Sequence, residues 1–147
     1  MLNATRLNIR VTVLLATPSG YVFEKDKNGF YFPIGGRVKL NEASINTAIR
    51  EVREEVDLKL AISDLTLTGL FEDFFRYDGT PFHEINLIYR VSVDHNVTLK
   101  DGFHCFPESR IDDEDIRPRE IKGFYNQDST PDPLPFSHHI IRDKSLY

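Results

Sequence analysis

Residues 36–58 read GRVKLNEASINTAIREVREEVDL, and this stretch constrains the fold more than any other part of the chain. Ile45, Ala48, Ile49, Val52 and Val56 recur at helical spacing, which predicts an amphipathic helix over 43–56 with one apolar face. Residues three and four apart are neighbours on a helix, so Glu51 lies beside Glu54 and Glu55 on the polar side. Crowding like charges in this way costs roughly 0.2–0.5 kcal/mol per pair. A divalent cation would turn the repulsion into coordination, because hard cations take oxygen ligands. A solvated acidic face would explain the amphipathicity, but not the preceding glycine pair or the placement of Glu42 and Arg50.

Phe32-Pro33-Ile34-Gly35-Gly36 reads as a strand end entering a tight loop, with the glycines free to take positive φ and approach a ligand closely. Asn41 and Ser44 are both credible N-terminal caps. Arg50, four residues before Glu54 and within reach of Glu42, is placed to orient carboxylates.

The order of these residues resembles the Nudix box: Gly36, five residues, Glu42, seven residues, Arg50-Glu51-Val52, one residue, Glu54-Glu55, one residue, Asp57, Leu58. One position departs, since the family carries glycine where this chain has Asp57. That glycine lies just past the helix, where a left-handed residue ends the last turn, and Asp enters that region more readily than most residues. The run FFRYDGTPFHEINLIYRV, residues 74–91, also resembles a group of small bacterial Nudix proteins, more loosely.

The resemblance implies an α/β fold, an α/β/α sandwich with a mixed sheet. It implies a hydrolase in which water attacks phosphorus in a nucleoside diphosphate linked to another group, or in a nucleoside triphosphate. On it, Glu51, Glu54 and Glu55 are metal ligands, completed by a backbone oxygen at Gly36 or Gly35, with Mg2+ as cofactor and Mn2+ as the substitute. Glu51 is a third ligand or the base, and Glu54 belongs to the catalytic set. Glu84, in Phe82-His83-Glu84, is the candidate base from outside the box; its plain reading is an exposed strand glutamate. Gly35, Arg50, Phe75 and Tyr77 are the expected substrate contacts, the aromatics by stacking on a base, although aromatics in strands are more often core. Arg76 and Arg90 are weaker phosphate candidates. The first proline after Leu58 is Pro81, which disfavours ADP-ribose slightly; dinucleoside polyphosphates remain open. The alternative is a non-catalytic nucleotide-sensing domain, which would usually lose a box glutamate. A prenyl diphosphate isomerase is the third possibility, with little support from Cys105.

Composition bounds these readings. At 147 residues the chain suits a single domain, 1–147, able to bury about 68–70% of its unfolded surface. A formal charge of −5 with no basic run weighs against nucleic acid or an anionic membrane as partner. A small phosphorylated nucleotide remains the expected partner, with a homodimer possible through the resemblance. A single cysteine forms no internal disulfide, and no leader or spanning segment is visible, so a cytoplasmic address is expected.

Along the chain, 7–16, 21–23 and 30–32 read as strands, followed by two longer ones, 65–77 and 82–93, joined at Asp78-Gly79, a strong hairpin signal. Residues 103–119 read as a surface loop, 121–125 as a last strand and 136–142 as a terminal helix. His138-His139 is not expected to be a metal pair, because adjacent side chains point apart.

Overall fold

The computed structural model describes residues 4–27, 31–77 and 79–107, without the side chains of Phe71, Asp73, Phe75, Arg76 and Tyr77. The elements are β1 (Leu7–Thr17), β2 (Gly20–Lys25), β3 (Tyr31–Arg37), α1 (Ser44–Val56), β4 (Thr66–Tyr77), β5 (Thr80–Ser92) and β6 (Phe103–Phe106), with a 3-10 turn at Ile62–Asp64. The strands form one sheet in the order β4-β5-β1-β3-β2-β6. β1 and β5 run parallel, from Leu7 opposite His83 to Ala16 opposite Ser92. The other pairings are antiparallel, so the sheet is mixed and the class is α/β, as expected.

β1 is central and buried on both faces over Val11–Leu15, apolar there except for Thr12. Val11, Val13 and Leu15 turn to one face, where Ala48, Val52 and Val56 of α1 join them with Ile34, Tyr89 and Val91. Ile45 and Ile49 pack at the margin of this core, so the predicted apolar stripe is the face that docks. Each fully buried aliphatic side chain there contributes about 1.5–3 kcal/mol. The opposite face is buried too, at Leu14, Phe23 and Ile88. The expected strand 121–125, the terminal helix 136–142 and His138-His139 lie outside the described residues.

Three local expectations need correction. Gly35 and Gly36 form no turn: they continue β3, opposite Thr12 and Val11, and neither has positive φ. Their lack of a side chain serves close approach instead. A Cβ at Gly35 would strike the Val11 carbonyl oxygen, and one at Gly36 would strike the Glu51 carboxylate. Neither Asn41 nor Ser44 caps α1. The N-cap is Ala43, without a side-chain cap bond; Asn41 takes φ 67° in the loop before it. Ser44 lies within the first turn, and its hydroxyl meets the Tyr89 hydroxyl at 2.6 Å, pinning the helix start to β5. Phe103–Phe106, expected as loop, is edge strand β6 on β2, with Phe106 packed at 5.1 Å from Tyr31 and 6.0 Å from Phe23. Four residues are too few to show a period of two in sequence.

Asp57 behaves as its position demanded. It ends α1 at φ 55°, ψ 32°, and its N–H donates to the Arg53 carbonyl at 3.1 Å. Gly79, at φ 77°, turns β4 into β5 as the Asp-Gly pair predicted. Among the described residues no helix is long and apolar enough to cross a membrane.

The two strand glycines fail differently when filled. Gly35→Ala meets backbone, so β1 and β3 must part; a loss of about 2 kcal/mol or more in urea unfolding is expected. Gly36→Ala meets only the end of a flexible side chain. Its unfolding midpoint should stay close to that of the parent, while Glu51 is displaced.

Candidate active site

Arg50 organises the region between β3 and α1. It has five N–H donors, and the structure gives each a partner. Nε and Nη2 form a fork onto Glu42, at 2.8 Å to Oε2 and 2.9 Å to Oε1. Nη1 donates to Glu51 Oε1 at 2.8 Å and more loosely to Glu54 Oε2 at 3.4 Å, and Nη2 also reaches the Arg37 carbonyl at 3.2 Å. Glu42 is held besides by the Thr47 hydroxyl at 2.7 Å and the Lys39 N–H at 3.3 Å. The loop after β3, the first turns of α1 and two box glutamates are thus one hydrogen-bonded unit. Hydrogen bonds from Arg50 and Thr47 lower the Glu42 pKa to about 2, and Glu42 in turn raises that of Arg50. Arg50 thus acts as a clasp, and its Nη1 donors, held by Glu51 and more loosely by Glu54, are the ones that a turn of those carboxylates would release to a substrate.

The three box glutamates do not share one environment. Glu54 is 56% exposed, held only by the loose contact to Arg50. Glu51 is 12% exposed and lies against Gly36, in the space a side chain there would fill. Glu55 turns inward: its Oε2 is buried without a hydrogen-bond partner. Its carboxyl is driven well above the usual carboxylate range, by desolvation first, then by the charges of Glu24 and Glu51, with Arg10 opposing. Glu24, on β2, has its own pKa raised, with desolvation first, Arg10 opposing, and Asp26 and Glu51 adding.

The crowded acids are therefore Glu24, Glu51 and Glu55. A partnerless buried carboxylate oxygen, two acidic neighbours and an all-oxygen donor set fit a hard divalent cation. Among the described residues no three acidic side chains already converge at ligand distance on one point. Glu51 and Glu54 lean on Arg50, and rotation of their side chains is what loading requires.

Glu84 stands apart from this group. It is 6% exposed, not the surface glutamate of the plain reading, and faces Asn8 across the parallel β1–β5 pair. Side chains alternate along a strand. Val11 and Val13 lie under α1, so Asn8, Arg10 and Thr12 face the other way, as do Glu84 and Asn86. Burial raises the Glu84 pKa, while Arg10, Arg37 and Asn8 pull it down; no box glutamate acts on it. The side chains of Phe75 and Tyr77 lie outside those described; their backbones pair with Phe82 and Thr80. Phe74 is 47% exposed and stacks on His83 at 4.2 Å. Cys105 is half-buried on β6, 3.5 Å from the Thr17 hydroxyl.

Sequence reasoning missed Glu24 and Arg10. Glu24 follows three buried residues in a strand, which would have marked the position, but nothing local in sequence places it beside Glu55. Arg10 is the one charged residue in β1, which is the signal it gives.

The chain matches the family model described as NUDIX domain over residues 5–125. No curated protein matches it. Among solved structures it resembles a MutT protein from Methanosarcina mazei Go1, with 17% identity, TM-score 0.61, and coverage of 81% of this chain and 90% of that one. It also resembles the Ap4A hydrolase of C. elegans, with 17% identity, TM-score 0.54, and coverage of 78% and 92%. A MutT/nudix family protein from Enterococcus faecalis matches with 16% identity and TM-score 0.56, over 72% of this chain but only 46% of its own length. At such identities the likeness is one of fold.

The clasp gives a pH signature. The folded-state pKa of Glu42 is depressed from 4.5 to about 2, so its contribution is fully present above pH 4.5 and is lost as pH falls towards 2. Glu42→Gln should cost about 1–2 kcal/mol at neutral pH. The difference between variant and parent in urea midpoint should narrow as pH falls through that window.

Proposed function

The chain belongs to the NUDIX domain family, and from that premise we infer that this hydrolase cuts a nucleoside diphosphate linked to another group, or a nucleoside triphosphate, by water attack on phosphorus. Members of the family act on nucleoside diphosphate derivatives and generally use a divalent metal ion. The observation that carries the reading is the buried, partnerless Oε2 of Glu55 beside Glu51 and Glu24. A folded chain gains nothing by holding these acids together unless a cation joins them.

In this reading Mg2+ is the cofactor, Mn2+ its substitute, and Glu51, Glu54, Glu55 and the Gly36 backbone oxygen hold it, with Glu24 at the margin. The ion supplies neutralisation of the phosphate oxygens and polarisation of the phosphorus. Arg50 fixes Glu51 and, through Glu42, the loop that borders the site. Glu54 is free to swing, being exposed and loosely held. It takes the proton of the attacking water as the new P–O bond forms and the bridging P–O bond breaks. Glu84, buried on the sheet face away from α1, is the second candidate for that role. The whole chain, 1–147, is taken as one catalytic domain, and its substrate as a small nucleotide-type molecule.

The test is phosphate release, coupled to a phosphatase, over nucleoside triphosphates, nucleotide sugars, ADP-ribose and dinucleoside polyphosphates, with Mg2+ or Mn2+. One class should be cleaved, and Glu54→Gln and Glu55→Gln should each lower kcat by about 100-fold or more. A folded parent protein silent on the whole panel would replace hydrolysis with nucleotide sensing.

A further inference from the structure

Arg10 has no role in the chemistry above, and its surroundings are unusual. It is half-buried, on the sheet face opposite α1, yet no described residue accepts a hydrogen bond from its guanidinium or forms an ion pair with it. All five of its donors therefore lack a protein partner among the described residues. Its Nη2 lies 3.4 Å from where a Gly35 side chain would begin, so the guanidinium rests over the bare flank of Gly35. Directly opposite, across the antiparallel β1–β3 pair, stands Arg37. Like charges facing one another in this way are destabilising. The Arg37 guanidinium likewise has no described partner, although its backbone carbonyl holds Arg50.

A polar floor lies under the two arginines. Asn8, Thr12, Glu84 and Asn86 are all more than nine-tenths buried, at 4%, 3%, 6% and 0% exposure. Thr12 donates to Asn86 Oδ1 at 2.8 Å, but Asn86 Nδ2 and Glu84 Oε1 have no partner. Beside Arg37 opens a groove of about 500 Å³ whose lining includes Arg6, Asn8, Arg37 and Lys39. The charge of Arg10 acts on Glu84 on one side and on Glu24 and Glu55 on the other, so it stands between the polar floor and the crowded acids.

We propose that Arg10, with Arg37 opposite, grips the diphosphate of the substrate, and that the pair is this chain's phosphate-binding element. Two guanidiniums whose forks no described residue engages offer bidentate hydrogen bonds to phosphate oxygens. A polyanion between them also removes the repulsion that the bare pair carries. Glu84 lies below the pair, within reach of the charge of both arginines. The proposal rests on the diphosphate reading of the substrate, but its two arginines are distinct from the hydrolytic groups.

The probe is inorganic pyrophosphate in the presence of EDTA, so that no cation contributes, with binding measured by calorimetry. The parent protein should bind it, Arg10→Gln and Arg37→Gln should each weaken binding at least tenfold, and Glu84→Gln should bind as tightly as the parent or tighter. In hydrolysis, Arg10→Gln should raise KM by a larger factor than it lowers kcat. If Arg10→Gln fails to fold, the Nε–H resonance of Arg10 in the parent, assigned by its loss in Arg10→Lys, should shift on adding pyrophosphate. An Arg10→Gln protein that binds like the parent, a parent blind to pyrophosphate, or an unmoved Arg10 resonance would each overturn the proposal. Binding that depends on Arg10 in a protein that cleaves no nucleotide would sink the hydrolytic reading alone. Normal cleavage with Arg10→Gln unchanged would sink this one alone.

Discussion

The five donors of Arg50 are the constraint on which the candidate site depends. One guanidinium ties the carboxylate of Glu42, the backbone of Arg37 and the side chains of Glu51 and Glu54 into a single unit. Those groups belong to the loop after β3, the strand itself and the helix, and only the arginine joins all three. The fork onto Glu42 needs a planar, permanently charged group, so lysine could not replace it. Because Glu42 is also fixed by Thr47 and Lys39, the clasp is anchored at both ends, and Glu51 is delivered to one place, the open flank of Gly36.

That flank is half of a second device. Gly35 and Gly36 leave β3 bare on both faces at one point. Glu51 occupies the bare spot on the helix side; on the other, the Val11 carbonyl crowds Gly35 and the Arg10 guanidinium lies beside it. Acids and cations are thus brought close through the thinnest part of the sheet while remaining on separate faces. Burial makes the acidic side costly, as the raised pKa of Glu55 shows, and the cationic side carries two facing arginines. Each cluster is unfavourable alone, and each would be relieved by a ligand of opposite charge. This is the usual arrangement where local stability is given up for binding.

Much of this was legible in sequence, for identifiable reasons. The stripe from Ile45 to Val56 gave the helix and its docking face, because helical period and burial coincide there. Arg50 and Glu42 were readable as partners, because both lie on one local stretch of chain. Legibility failed wherever the determining contact was long-range. The glycine pair suggested a turn, since nothing local shows that Val11 and Glu51 would crowd them from either side. Glu24 and Arg10 are set beside Glu55 and Glu84 by sheet order, which the local pattern does not contain. Glu84 resembled a surface glutamate because the alternation in β5 does not say that both faces are buried.

On the hydrolytic reading, Glu24, Glu51 and Glu55 are held together at a cost that a divalent cation would remove. Thermal unfolding in EDTA and in millimolar Mg2+ or Mn2+, for the parent and for Glu55→Gln, tests it most directly. The account predicts that cation raises the Tm of the parent by several degrees, as binding at about 100 times Kd contributes about 2.7 kcal/mol. Glu55→Gln should unfold at a higher temperature than the parent in EDTA and respond little to the cation. A parent indifferent to both ions, or a Glu55→Gln protein less stable than the parent in EDTA, would contradict it.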